Sequence, residues 1–171
     1  MSQRAEIREL IESDAERLWH LRLRALDSEP KAFGESTEEH RQKSLDEYVA
    51  RLQSGTGESF VMGALSGSDL VGMAGFYRDQ NVKERHKGHI WGVFVEPSHR
   101  GRGIGRALIS AIPDRARALR HLSQVQLSVA TTQREARSLY FGFGFREFGI
   151  EREALKVNGE YVDEEHMVLF L

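Results

Sequence analysis

Apolar residues fall at helical spacing near the start of the chain, form unbroken runs in its middle and alternate with polar ones toward its end. After a short strand at 6–10, Ala15, Leu18, Trp19, Ala25 and Leu26 share one side of a 3.6-residue repeat, and Ser13 with Glu16 has the form of a capping box. Leu45, Tyr48, Val49 and Leu52 make a second stripe, opened by Ser44 and Glu47. The intervening SEPKAFGEST reads as a polar loop around one apolar residue, Phe33.

Over 58–77 the repeat changes to ESFVMGAL, a turn at SGSD and LVGMAGFY, which predicts an antiparallel hairpin. HIWGVFV at 89–95 is almost wholly apolar, as expected of a central strand covered on both faces. Pro97 ends it. Ile104, Ala107, Leu108, Ala111 and Ile112 mark the buried side of the next helix, and Pro113 removes the hydrogen bond to the Ile109 carbonyl and should kink it. VQLSV at 125–129 follows, so that helix is a right-handed crossover between parallel strands. Thr132 and Glu135 cap a further helix carrying Ala136, Leu139 and Tyr140, and Gly142 and Gly144 end it. Asn158-Gly159 between LKV and EYV signals a two-residue hairpin, and MVLFL closes the chain as a strand.

A chain of 171 residues with 40% hydrophobic content fits one globular domain over 1–171 with a substantial core. There is no cysteine, which excludes disulfides, thiolate metal sites and a cysteine-bound intermediate. No apolar leader opens the chain and no run approaches the roughly 18 apolar residues of a membrane span, so a cytoplasmic protein without a membrane partner is expected. A net charge of −2 argues against nucleic acid as a partner. His86 and His89, three apart on a strand, point to opposite faces, and no metal site is expected.

The stretch HRGRGIGRAL at 99–108 concentrates glycine and arginine where a strand passes into a helix. Glycine permits tight turns and close backbone approach, and free N–H groups at a helix start favour an anion such as phosphate. The spacing lacks the lysine of the nucleotide-triphosphatase loop. It also misses GxGxxG, because Arg106 or Leu108 stands where the third glycine belongs.

Arg100, Gly103 and Gly105 instead satisfy RxxGxG. With VFVEP before it and REARSLYFGFGF after the next strand, the chain over about 6–171 resembles the GNAT superfamily of N-acetyltransferases. The resemblance implies an α+β fold: a mixed, mostly antiparallel sheet of six to seven strands with one splayed parallel pair, flanked by about four helices. It implies acetyl-CoA as acyl donor, its pyrophosphate held by Arg100, Gly101, Arg102, Gly103, Ile104, Gly105 and Arg106, and its pantetheine arm by the backbone of Val93, Phe94 and Val95. Gly92 agrees with a bulge or close approach there. Gln133 stands where many relatives place asparagine, as a longer amide toward the cofactor.

With no cysteine to carry the acyl group, direct attack by a primary amine is the simpler route. Tyr140, in the LY of an LYxxxGF pattern, is implied both as a cofactor contact and as the acid for the departing sulfur. His89 is the candidate base, with Glu96, Glu35 and Glu38 as competitors; an imidazole titrates near neutrality. Phe33 and Glu35 would help shape the acceptor site, Phe33 serving either there or as a staple into the core. The function expected is N-acetyltransfer to a small-molecule or peptide amine, the alternative a catalytically inactive CoA-binding regulator. A homodimer fits the exposed sheet edges.

Overall fold

Among the described residues seven strands form one sheet in the order β1-β2-β3-β4-β5-β7-β6. The computed structural model describes residues 5–53 and 57–171. The strands are β1 (Glu6–Glu9), β2 (Ser59–Ser66), β3 (Asp69–Arg78), β4 (Lys87–Val95), β5 (Gln124–Ala130), β6 (Arg146–Val157) and β7 (Glu160–Phe170). Every neighbouring pair is antiparallel except β4 and β5, which run parallel and pair only through Lys87, Gly88 and His89 before separating. Among the described residues there are five α-helices: α1 (Ala15–Ser28), α2 (Thr37–Arg41), α3 (Leu45–Leu52), α4 (Ile104–Ala116) and α5 (Arg134–Gly142). None is long and apolar enough to cross a membrane.

Three helix starts differ from the sequence reading. Ser13 does not cap α1. Instead Asp14, buried after a 3₁₀ turn, accepts the Ile11 N–H at 3.0 Å and two Arg8 N–H groups at 2.7 and 2.9 Å. Asp14 is the N-cap residue by position, and its carboxylate serves the guanidinium and the preceding turn rather than the α1 amides. The polar loop leads into α2, which the sequence reading does not include and which is opened by a reciprocal box in which Ser36 Oγ accepts the Glu39 N–H at 3.2 Å and Glu39 Oε2 accepts the Ser36 N–H at 2.8 Å. Thr132 does not cap α5; backbone bonds from Gln133 to Ala130 and from Arg134 to Thr132 tighten the turn, so Gln133 is the N-cap. The box at Ser44 and Glu47 forms as read, and α4 continues through Pro113 to Ala116.

Asn158 and Gly159 both adopt positive φ, 50° and 82°, which matches the twist of a two-residue hairpin. The strands they join are far longer than LKV and EYV. The start of β6 has mostly exposed side chains and breaks register at two places, so it carries no clean alternation to read.

Two apolar clusters cover the two faces of the sheet. Leu108, Ile109 and Ile112 of α4 pack with Phe76, Val125 and Phe145 on one, and Leu18 and Leu21 of α1 pack with Tyr48 and Met73 on the other. Strand β4 serves both through a bulge. Ile90 faces the first cluster and Trp91 the second, but beyond Gly92 (φ 64°) Val93 and Val95 face the first and Phe94 the second. One extra residue shifts the alternation there and turns the strand away from β5.

Candidate active site

The end of β4, the turn after it and the first turn of α4 form one continuous edge. Gly101 and Gly103 hold φ of 73° and 79°, a left-handed conformation costly for other residues, and no neighbour lies within 4 Å of where either Cβ would stand. Their glycines therefore answer to backbone shape rather than to crowding. The first helical bond of α4 runs from the Ala107 N–H to the Gly103 carbonyl at 3.0 Å. The N–H groups of Ile104, Gly105 and Arg106 thus have no helical partner, and with the helix dipole they make this end of α4 electropositive. A cleft of about 650 Å³ opens beside them, lined by His99, Arg102, Gly103, Ile104 and Arg106. Arg106 lies over the Phe143 ring at 5.1 Å. Arg100 is a brace: its Nε donates to the Val95 carbonyl at 2.9 Å and its Nη2 meets Glu29 at 3.0 Å.

Where β4 and β5 part, a smaller cleft of about 80 Å³ is lined by Gly92, Val93, Val129, Gln133, Ala136 and Tyr140. The edge of β4 beyond His89 has no β5 partner, which leaves backbone groups open to an amide-bearing chain. Gln133 and Tyr140 are brought to that opening, while the Phe94 side chain turns into the second cluster. Tyr140 is buried, and its hydroxyl has no hydrogen-bond partner among the described residues. Burial drives its phenol well above the ordinary value and keeps it protonated.

Through the sheet on the α1 side lies a third cleft, of about 450 Å³, that shares Phe33, Trp91, Gly92 and Ser128 with the small one. His89 lines it. Its Nε2 donates to Asp79 Oδ2 at 2.9 Å, its ring stacks on Tyr77 at 4.8 Å, and Nδ1 has no partner among the described residues. Phe33 packs against the second cluster and also walls the cleft. Glu35 is tied up by Arg22 Nε at 3.2 Å and by Lys43. Burial disfavours its charge, but those cations hold its carboxyl below the ordinary value, a poor setting for a base. Glu96 is likewise paired, with Arg24, whereas Glu38 lines a separate cleft with Leu155 and Asn158.

Several residues of this wall gave no signal in the sequence. Ser128 on β5 and His166 on β7 are register partners, and Ser128 Oγ donates to His166 Nδ1 at 2.9 Å while His166 Nε2 donates to Glu151 at 3.1 Å. Glu164 faces the same way two residues earlier. Burial and the Glu151 charge raise its pKa. Arg22, on α1, closes the opposite side.

Residues 16–145 match the family model described as Acetyltransferase (GNAT) family. The N-alpha-acetyltransferase RimI of Mycobacterium tuberculosis is 37% identical over 99 residues, which cover 57% of this chain and 59% of that protein. The spermidine N(1)-acetyltransferase of Vibrio cholerae is 31% identical over 84 residues, 49% of each chain. The chain thus spans less than two thirds of the length of both curated relatives. The structure of yncA from Salmonella typhimurium, solved with its cofactor acetyl-CoA, superimposes with a TM-score of 0.85 at 20% identity over 99% of this chain and 95% of that one. A matched stretch that takes in β4, the glycine turn, α4 and α5 gives the arrangement its name: the chain belongs to the acetyltransferase (GNAT) family.

Proposed function

We propose that the protein transfers the acetyl group of acetyl-CoA to a primary amine by direct attack. The observation that carries this reading is the glycine turn with unpaired α4 amides beside an unpaired edge of β4. An elongated cofactor with a diphosphate at one end and amides along its arm is complementary to both.

When bound, acetyl-CoA supplies an acyl group activated as a thioester. The protein would hold it through the 101–106 backbone, with Arg102 and Arg106 adding charge and Gln133 an amide. An ammonium has a pKa near 10 and must lose a proton before it can attack. His89 takes that proton on Nδ1, its other nitrogen being fixed by Asp79. His166 is less suited, because its Nδ1 lone pair already accepts the Ser128 hydroxyl. Tyr140 gives a proton to the departing sulfur and regains one from the acylated nitrogen, so the ammonium gives up two protons in all: one ends on the thiol and the other leaves through His89.

The test is thiol release from acetyl-CoA across a panel of amines, with acetylated product confirmed by mass. The protein has no cysteine, so it adds no thiol of its own. Release with at least one amine is expected. Tight CoA binding without turnover on any amine would contradict the reading and favour a CoA-holding regulator.

A further inference from the structure

The wall of the 450 Å³ cleft contains a cation whose hydrogen bonds are incomplete. Arg22 projects from α1 to the bulge of β4, and its side chain is only 9% exposed. Its Nε is bound to Glu35, and its guanidinium lies over the Phe33 ring at 4.6 Å. Nη1, however, is buried with no hydrogen-bond partner. A Cβ on Gly92 would come within 3.4 Å of it, so Nη1 looks onto the strand at the point where it bulges. A guanidinium offers five donors in a fixed fork, and burying one unmet is costly.

Among the described residues the neighbourhood gives Arg22 one carboxylate and leaves Nη1 without an acceptor. Glu35 is shared with Lys43. Arg51, over the Trp91 ring at 4.8 Å, has no carboxylate partner among the described residues. Burial, and the Arg51 charge, hold Arg22 below its ordinary pKa even with Glu35 beside it. Across the same cleft the chemistry reverses. Glu164 has no ion pair among the described residues, and His89 presents an open Nδ1. One side therefore carries more cations than anions, and the other an unpaired carboxylate.

We infer that the acceptor is a small zwitterion, an α-amino acid or close analogue, whose carboxylate is taken by Arg22 and whose ammonium lies toward Glu164 and His89. This rests on the acetyl-transfer reading of the site and narrows it. A cleft of about 450 Å³ suits one small molecule. A polyamine brings no anion to Arg22, and a protein N-terminus brings only a neutral carbonyl, the weaker partner for a guanidinium.

The experiment measures kcat/KM for the standard α-amino acids, each beside its α-carboxamide, with spermidine and alanyl-alanine amide as comparators. At least one free amino acid should exceed its amide by about tenfold, the value of one charge-assisted contact. Arg22→Gln should erase that advantage while acetyl-CoA affinity stays within about twofold, as expected for a change outside the phosphate site. Equal or faster acetylation of the amides, preference for spermidine or the dipeptide, or an unchanged preference in Arg22→Gln would overturn the inference. Should the variant not fold, the acid–amide comparison in the unaltered protein decides alone. Turnover with spermidine or the dipeptide but no amino acid defeats this inference only; absence of acetyl-CoA binding defeats the reading of the site beneath it.

Discussion

The turn at 100–103 and the wall around Arg22 both place charge beside the same splayed strands, but they are assembled differently. The turn is made of consecutive residues, and its donors are backbone N–H groups that any sequence with glycine at 101 and 103 could present. The wall draws on α1, β4, β5 and β7, from Arg22 to His166, and its donors are side chains held by partners distant in sequence. A surface built on local backbone geometry can persist while a side-chain wall changes. The two regions should accordingly fail separately when altered.

The largest expected effect lies where they meet. Tyr140→Phe should lower kcat by about 100-fold, the usual weight of one general acid, with acetyl-CoA affinity nearly unchanged. Because burial raises the phenol's pKa, the unaltered enzyme should show no activity loss from this group as pH rises through 8 or 9. A matching fall in cofactor affinity would mean that Tyr140 belongs to the binding region instead.

Next comes the anchor of α1. Asp14→Asn should cost about 2 kcal/mol of stability through its charged hydrogen bonds. The bonds from Arg8, aided by the Ile11 N–H, hold the Asp14 carboxyl below its ordinary value despite burial. Its stabilisation is complete above the unfolded-chain value of about 3.9 and is lost as pH falls through the lower folded value. Chemical denaturation at several pH values should show the two proteins converging only in acid. The acceptor KM should suffer more than the acetyl-CoA Kd.

Gly103→Ala is expected to be milder. Nothing packs on this position, so the turn relaxes to relieve a left-handed strain of about 1–2 kcal/mol. That cost returns on binding, as acetyl-CoA affinity weaker by about tenfold with the melting temperature little changed. Smallest of all, Arg106→Ala should weaken acetyl-CoA about twofold at low salt and less at high salt, because an exposed charge is readily screened.

The same contrast explains what could be read in advance. Gly101, Gly103, the 89–95 run and the Asn158-Gly159 turn each act through residues adjacent in the chain, so their role survives in one dimension. The Ser36–Glu39 box is equally local and announces α2, but the polar loop before it masks the signal. Ser13 and Thr132 misled because the true caps depend on Arg8 and on the turn after β5. Arg22 looks like any polar position on an amphipathic helix, and only the bulge at Gly92 gives it meaning. Ser128, His166 and Glu151 come together through strand pairing that no spacing announces.

The claim on which the site rests is that the α4 amides and the glycine turn grip a diphosphate. Titration calorimetry comparing acetyl-CoA with acetyl-pantetheine, which keeps the thioester and the amides but lacks the nucleotide and its phosphates, tests it directly. The account predicts that acetyl-CoA binds at least about 100-fold more tightly, the worth of two charge-assisted contacts, and that Gly103→Ala narrows the gap. Equal affinities for the two compounds would contradict it.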